Sequence, residues 1–145
     1  MKTTNQAVMA AALLLTAACG PALQEGMVRV PAGEFHMGCN DARDANCDAD
    51  ERPGHKVYLD VYQIDEHEVT AAEYQACMDA GACEAPVAKG DCNVGKAGRD
   101  DHPANCVSWY QAKGYCEWAG KALPTEAQWE KAARGSDGRV YPWGD

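Results

Sequence analysis

The sequence predicts an α+β fold in one compact domain with short strands, three capped helices and much irregular structure, and three observations carry that prediction. Three serine or threonine residues each stand three positions ahead of a glutamate or glutamine and open a run whose apolar residues recur every three or four positions. Two stretches, 28–37 and 56–64, show the pattern of short strands. No repeat or low-complexity linker divides the 145 residues, and the length that follows the N-terminal apolar run suits a single domain.

In chain order, Val28, Val30, Phe35 and Met37 fit short strands on either side of a Pro31 to Gly33 turn. From Lys56 to Ile64, Val57, Leu59 and Val61 alternate with Tyr58, Asp60 and Tyr62, as one strand does when its side chains point to opposite faces. The helices follow. Thr70 with Glu73, Ser108 with Gln111, and Thr125 with Gln128 form capping boxes, in which the hydroxyl accepts from an orphan amide while the longer side chain reaches back. The first helix is expected to bury Tyr74, Cys77 and Met78 and to end at Gly81, where a left-handed residue closes the last turn. The second is expected to bury Trp109, Ala112, Cys116 and Ala119 and to end at Gly120. Pro124 precedes the third cap, and Trp129, Ala132 and Ala133 form its apolar stripe up to Gly135. On this reading the tryptophans of the second and third helices share a core.

Ahead of the domain, Lys2 and an apolar run from Ala7 to Ala18 read as a secretion signal over residues 1–18. The run falls short of the roughly twenty residues that a spanning helix needs. Ala17 and Ala18 before Cys19 resemble a bacterial lipobox, with Leu15 displaced by one position and Thr16 where leucine is usual. Cys19 is therefore the expected lipidation site, with ordinary cleavage after Ala18 as the alternative. Residues 19–26 are a short tether, and residues 27–145 are the domain. Gly20 after the cysteine is compatible with sorting to the outer membrane, so the expected partner is a membrane, reached through a lipid anchor.

Export places the other seven cysteines in an oxidising compartment, where disulfides are favoured over metal or catalytic thiols. Cys39 with Cys47, Cys77 with Cys83, and Cys92 with Cys106 each close a short loop, which leaves Cys116 unpaired. Zinc is disfavoured because neither a CxxC nor a paired Cys/His spacing occurs.

Other signals are set aside on chemical grounds. Gly90 to Lys96 fits the spacing GxxxxGK, but Ala97 stands where a metal-binding hydroxyl belongs, so no nucleotide is expected. Asp41, Asp44, Asp48, Asp50 and Glu51 lack the EF-hand pattern and its glycine, and read as a solvated acidic loop. His36, His55, His67 and His102 are scattered. With 22 acidic against 13 basic residues, the formal charge of −9 opposes nucleic-acid binding, which depends on cations.

Tyr115 to Lys121 (YCEWAGK), Leu123 to Ala127 (LPTEA), Trp129 to Gly135 (WEKAARG) and Tyr141 to Gly144 (YPWG) together resemble the signature of the sulfatase-modifying factor family, the formylglycine-generating enzymes. The residues that carry it are Trp109, Trp118, Gly120, Leu123, Pro124, Thr125, Glu126, Trp129, Glu130, Arg134, Gly135, Pro142, Trp143 and Gly144. Ala122 and Gln128 depart from it, where arginine and glutamate are usual. Upstream, residues 27–38, 62–74 and 101–109 resemble the same family in the same order.

The resemblance covers about the first half of the family's domain, so a domain truncated on its C-terminal side is expected. It implies an oxygen-dependent, copper-using oxidation of a substrate-protein cysteine, usually in a sulfatase, to formylglycine. The copper-binding cysteine pair, soft thiolates suited to copper(I), and the calcium ligands belong in the family to the C-terminal half. No catalytic or metal-binding residue is therefore assigned in this chain, and copper and calcium are expected only in a complete member. The resemblance also implies a partner for Cys116 near the domain's C-terminus, although a buried free cysteine fits as well. Two functions compete: part of a formylglycine-generating oxidase, or a noncatalytic envelope binding or scaffold module. The expected partners are a substrate protein or the C-terminal half, which would cover the apolar helix faces. The sulfoxide synthases that share the domain carry an iron-binding histidine module that has no counterpart here.

Overall fold

In the computed structural model, residues 22–40, 42–44, 46–87 and 90–144 are described; the signal segment and Cys19 lie outside them. Four strands come first: β1 (Met27–Val30), β2 (Gly33–Met37), β3 (His55–Leu59) and β4 (Tyr62–Asp65). β1 pairs antiparallel with β4, and β2 with β3. Val30 lies opposite Tyr62 and Gly33 opposite Leu59, so neither side gains a residue between the two ladders. The two sheets are thus one long ribbon in a single register, interrupted where Pro31 and Ala32 face Asp60 and Val61. Proline has no N–H to give a ladder, which accounts for the break. This corrects the single strand expected over 56–64. It is two strands, and Val61 at the break is 40% exposed. Of the ribbon's side chains, Phe35 is buried.

Three helices follow: α1 (Ala71–Asp79), α2 (Trp109–Trp118) and α3 (Glu126–Arg134). All three open on full capping boxes, from Thr70, Ser108 and Thr125. Gly120 and Gly135 have φ of 71° and 70°, a left-handed conformation that glycine adopts without Cβ strain. The helical core is small. Tyr74 and Cys77 of α1 meet Tyr115 of α2, the two phenol rings stacking with centroids 5.8 Å apart. Burial and the nearby Glu84 raise the pKa of Tyr74, whose hydroxyl donates to Glu84 O at 2.9 Å. Gln111 donates to Ala85 O at 2.6 Å, so the loop after α1 is tied to α2 through groups that would otherwise be buried unpaired.

The tryptophans do not share this core. Trp109, Trp118 and Trp129 are 62%, 44% and 63% exposed, which corrects the sequence expectation. In α2 the inward positions are Gln111 and Tyr115, and in α3 the inward position is Lys131. Trp109 and Trp129 each precede an inward residue by two positions, which on a helix is a rotation of about 200° and points them outward. The stripe expected in α3 fails for the same reason, with Ala132 exposed and Lys131 buried.

Three disulfides close Cys39 to Cys47, Cys77 to Cys83 and Cys92 to Cys106, with Cα atoms 5.7, 5.3 and 5.6 Å apart. Cys116 is free and half-buried. No helix among the described residues is long and apolar enough to cross a membrane.

Candidate functional site

α3 is held to the ribbon by polar grips more than by an apolar face. Lys131 is 4% exposed, and its Nζ donates to Pro31 O at 2.9 Å and Gly33 O at 2.8 Å. These carbonyls flank the break in the ribbon, so the ammonium supplies donors at the point where the ladder stops. Beside it in sequence, Glu130 Oε1 accepts from Gly38 N at 2.8 Å and from Arg134 Nη1 at 2.6 Å, while Arg134 also donates to Gly38 O and Arg139 O. With side chains 17% and 14% exposed, this pair is shielded enough to matter, unlike an ion pair in open water. Tyr62 OH, whose pKa is raised by burial, donates to Gln128 O at 2.5 Å.

Two open clefts border α3, and Trp129 lines both. The first, about 550 Å³, lies between the β1–β4 end of the ribbon and the link from α2 to α3. Its lining includes Met27, Asp65, Cys116, Lys121, Leu123 and Pro124. Lys121 donates to Asp65 at 2.6 Å, a half-buried ion pair beside the thiol. Burial first, and then the charge of Asp65, push the Cys116 thiol above its ordinary pKa, with Lys121 pulling the other way. At neutral pH the thiol keeps its proton and is a poor nucleophile.

The second cleft, about 610 Å³, lies between the Cys39–Cys47 loop, α3 and the aromatic turn, and is lined by Met37, Glu51, Glu126, Glu130, Arg134 and Pro142 among others. In that turn Tyr141 and Trp143 stack with centroids 5.3 Å apart, and Trp143 is 84% exposed.

The signature residues thus wall two neighbouring clefts. Gly120, Leu123 and Pro124 line the first, Glu126, Glu130, Arg134 and Pro142 the second, and Trp129 divides them. Thr125 caps α3 and Gly135 ends it, while Gly144 closes the aromatic turn through paired hydrogen bonds with Tyr141. Trp109 and Trp118 lie on α2, outside both linings.

The donor set does not fit copper(I) held by two thiolates. Six described cysteines are in disulfides and Cys116 stands alone. Among the described residues, no group of three or more His, Cys, Asp or Glu side chains is placed to hold a metal ion. In the Gly90 to Lys96 loop, Lys96 is paired with Asp91, whose hydrogen bond and charge lower the Asp91 pKa. Asn93 there is buried and bonded to Pro103 O and Asn105, which makes the segment a structural clasp.

Sequence reasoning missed Lys131, Asp65 and Lys121. The burial of Lys131 leaves no trace in an amphipathic pattern, and the other two meet across 56 residues.

The sequence matches the family described as sulfatase-modifying factor enzyme 1-like domains over residues 16–145. It is 38% identical to the formylglycine-generating enzyme of Streptomyces coelicolor, an alignment that covers 88% of this chain and 53% of the relative. It is 31% identical to the formylglycine-generating enzyme of Bos taurus, over 82% of this chain and 42% of that protein. Among solved structures, PvdO from Pseudomonas aeruginosa superposes with a TM-score of 0.64 at 34% identity, covering 77% of this chain and 48% of that one. The chain therefore spans about half the length of the curated relatives it matches.

Proposed function

Because the chain belongs to the family of sulfatase-modifying factor enzyme 1-like domains, we propose that it is the N-terminal frame of a formylglycine-generating-type domain, carried by an exported lipoprotein. The observation that carries this reading is the state of the cysteines. Three disulfides take six of them, and the remaining described thiol is one protonated residue beside Asp65. Oxidation of a substrate-protein cysteine through a copper-binding thiol pair therefore belongs to the second half of such a domain. The present half supplies two clefts and the exposed Trp109, Trp118 and Trp129 against which a further layer can pack. Outer-membrane anchoring through Cys19 is supported by the apolar run and by Ala17 and Ala18 before the cysteine.

The test joins this chain to the C-terminal half of the Streptomyces coelicolor enzyme and supplies copper(I), oxygen and a sulfatase-type cysteine peptide. The fusion is expected to form aldehyde and the 145-residue chain alone is not. Aldehyde from the chain alone would refute the reading. For the anchor, palmitate should label the wild type and not Cys19→Ser; equal labelling of both would refute lipidation.

A second reading, a noncatalytic binding or scaffold module, is favoured by the local satisfaction of buried polar groups. Every buried side-chain polar atom among the described residues has a hydrogen-bond partner. A compact chain that binds no hydrophobic dye would support the module over the partial domain.

A further inference from the structure

Counted from Cys39, each bridged cysteine is bonded to its neighbour in sequence: Cys39 to Cys47, Cys77 to Cys83 and Cys92 to Cys106. Each pair is also drawn together by hydrogen bonds within its own loop or at the loop's ends. In the first loop, Arg43 N and Asp44 N donate to Asn40 O at 2.8 and 2.9 Å, and Asn46 N donates to Asp44 Oδ1 at 2.9 Å. In the second, Ala82 N and Cys83 N both donate to Cys77 O, so the end of α1 returns the chain onto its own cysteine. In the third, Asn93 N donates to Asn105 Oδ1 at 2.7 Å, and Asn105 Nδ2 donates to Asp91 O at 3.0 Å. Asn105 adjoins Cys106 and thus grips the backbone on both sides of Cys92. None of these bonds reaches into another loop, so each segment can bring its own thiols together before the rest of the fold exists. Closing a short loop also costs the least chain entropy. Cys19 stands outside this order. Consecutive pairing of all eight cysteines would give Cys19 with Cys39, Cys47 with Cys77, Cys83 with Cys92 and Cys106 with Cys116. The observed cystines exclude all four.

We propose that a thiol–disulfide oxidase closes the three cystines in chain order during export, with no isomerase, and that prior conversion of the Cys19 thiol to a thioether sets the phase of the pairing; the inference rests on the exported-lipoprotein reading above. In the first step the Cys19 sulfur takes a diacylglyceryl group from a phospholipid, whose head group departs with the thiol proton. The thioether takes no part in disulfide exchange. In the second step the Cys39 thiolate attacks the oxidase disulfide, and the Cys47 thiolate then displaces the oxidase from the mixed disulfide. Two electrons and two protons pass from the cysteine pair to the oxidase, which leaves as a dithiol. The same exchange follows for Cys77 with Cys83 and for Cys92 with Cys106. A free Cys19 thiol would arrive before all of these and capture Cys39, which shifts every later partner by one place.

The experiment exports the chain behind a leader that is cut before residue 19 and is not lipidated, in a host that keeps its thiol oxidase and lacks its disulfide isomerase. Free thiols are trapped in acid and nonreduced peptides are mapped. With the Cys19 thiol retained, the Cys19–Cys39 bridge and the other shifted bridges should dominate, and restoring the isomerase should lower them several-fold. Cys19→Ser behind the same leader should give the three observed pairs without isomerase, as should the wild type behind its own leader. Native pairs alone in the chain with a free Cys19 thiol would overturn the phase-setting role, and shifted bridges in Cys19→Ser would overturn closure in chain order. Both comparisons use an unlipidated leader, so they stand apart from the anchor reading. A wild type without acyl mass would overturn that reading and the thioether step with it. Asn105→Ala should slow closure of Cys92 to Cys106 several-fold when the reduced chain is refolded with oxidised glutathione, and leave the other two pairs unchanged. Anything but a selective slowing would overturn the local origin of the pairing.

Discussion

Lys131 crosses a hundred residues of sequence to donate its ammonium to the carbonyl of Pro31, at the break in the ribbon where proline has no N–H to give. The proline that stops the ladder and the lysine that serves the adjacent carbonyls form one structural unit. Lys131→Met keeps most of the aliphatic stem and leaves Pro31 O and Gly33 O without this donor. The expected loss is about 1–3 kcal/mol, the range for a buried hydrogen bond broken on one side. Equilibrium denaturation with the disulfides intact measures it. Trp129→Ala, on an exposed site, should cost less, and the reverse order would show that α3 docks through its tryptophan.

Two glycines give opposite expectations for the same substitution. A Cβ on Gly54 would drive into Cys39 O and the His36 ring, and the backbone oxygen has no room to yield. Gly54→Ala is expected to destabilise by about 1–3 kcal/mol, as overpacking does. Gly114 lies inside α2 with open space around it, so Gly114→Ala should stabilise by about 0.5–1 kcal/mol. Thermal melts of the two variants beside wild type would show the midpoints moving apart.

Nonreduced peptide mapping, after free thiols are blocked in denaturant, should recover the three short loops and a blocked Cys116. Each loop contributes about 2–3 kcal/mol in the chain-entropy view. A bridge from Cys116 to any of the other six would overturn the assignment.

The Cys116 thiol should alkylate slowly at neutral pH and faster as pH rises, because burial and Asp65 hold its pKa up. Asp65→Asn removes a charge that opposes ionisation and leaves Lys121 to favour it, so alkylation should speed up; Lys121→Met should slow it. Iodoacetamide rates across pH decide the matter. The same shift carries a sign for stability. A thiol whose folded pKa exceeds its unfolded value favours the fold below the unfolded pKa and ceases to do so as pH rises through the folded one. Tyr62, Tyr74 and Tyr115, all raised by burial, act in the same alkaline direction.

The helices were legible because capping is local chemistry: Thr70, Ser108 and Thr125 find their partners three residues away. Which face of α2 or α3 turns inward was not legible. Gln111 and Lys131 are buried because backbone carbonyls at Ala85, Pro31 and Gly33 wait for them, and an apolar count assigns such positions to solvent. The division of 56–64 was hidden for a related reason, since the proline responsible lies on the opposite strand. Of the candidate site, the signature residues were visible as a motif, but their arrangement as walls on two sides of Trp129 depends on the ribbon that closes each cleft.

The three disulfides follow one another along the chain without overlap, spanning separations of 8, 6 and 14 residues. Topologically the described chain is an open string carrying three small rings. No covalent link among the described residues joins the ribbon to the helices except the backbone itself. One protease cut between β4 and α1 would leave two pieces held by noncovalent contacts, among them the Lys131, Glu130, Arg134, Tyr62, Lys121 and Asn40 hydrogen bonds. Such a nicked molecule would come apart in denaturant without any reducing agent, so the cystines secure each loop internally and leave the joint between the two halves reversible.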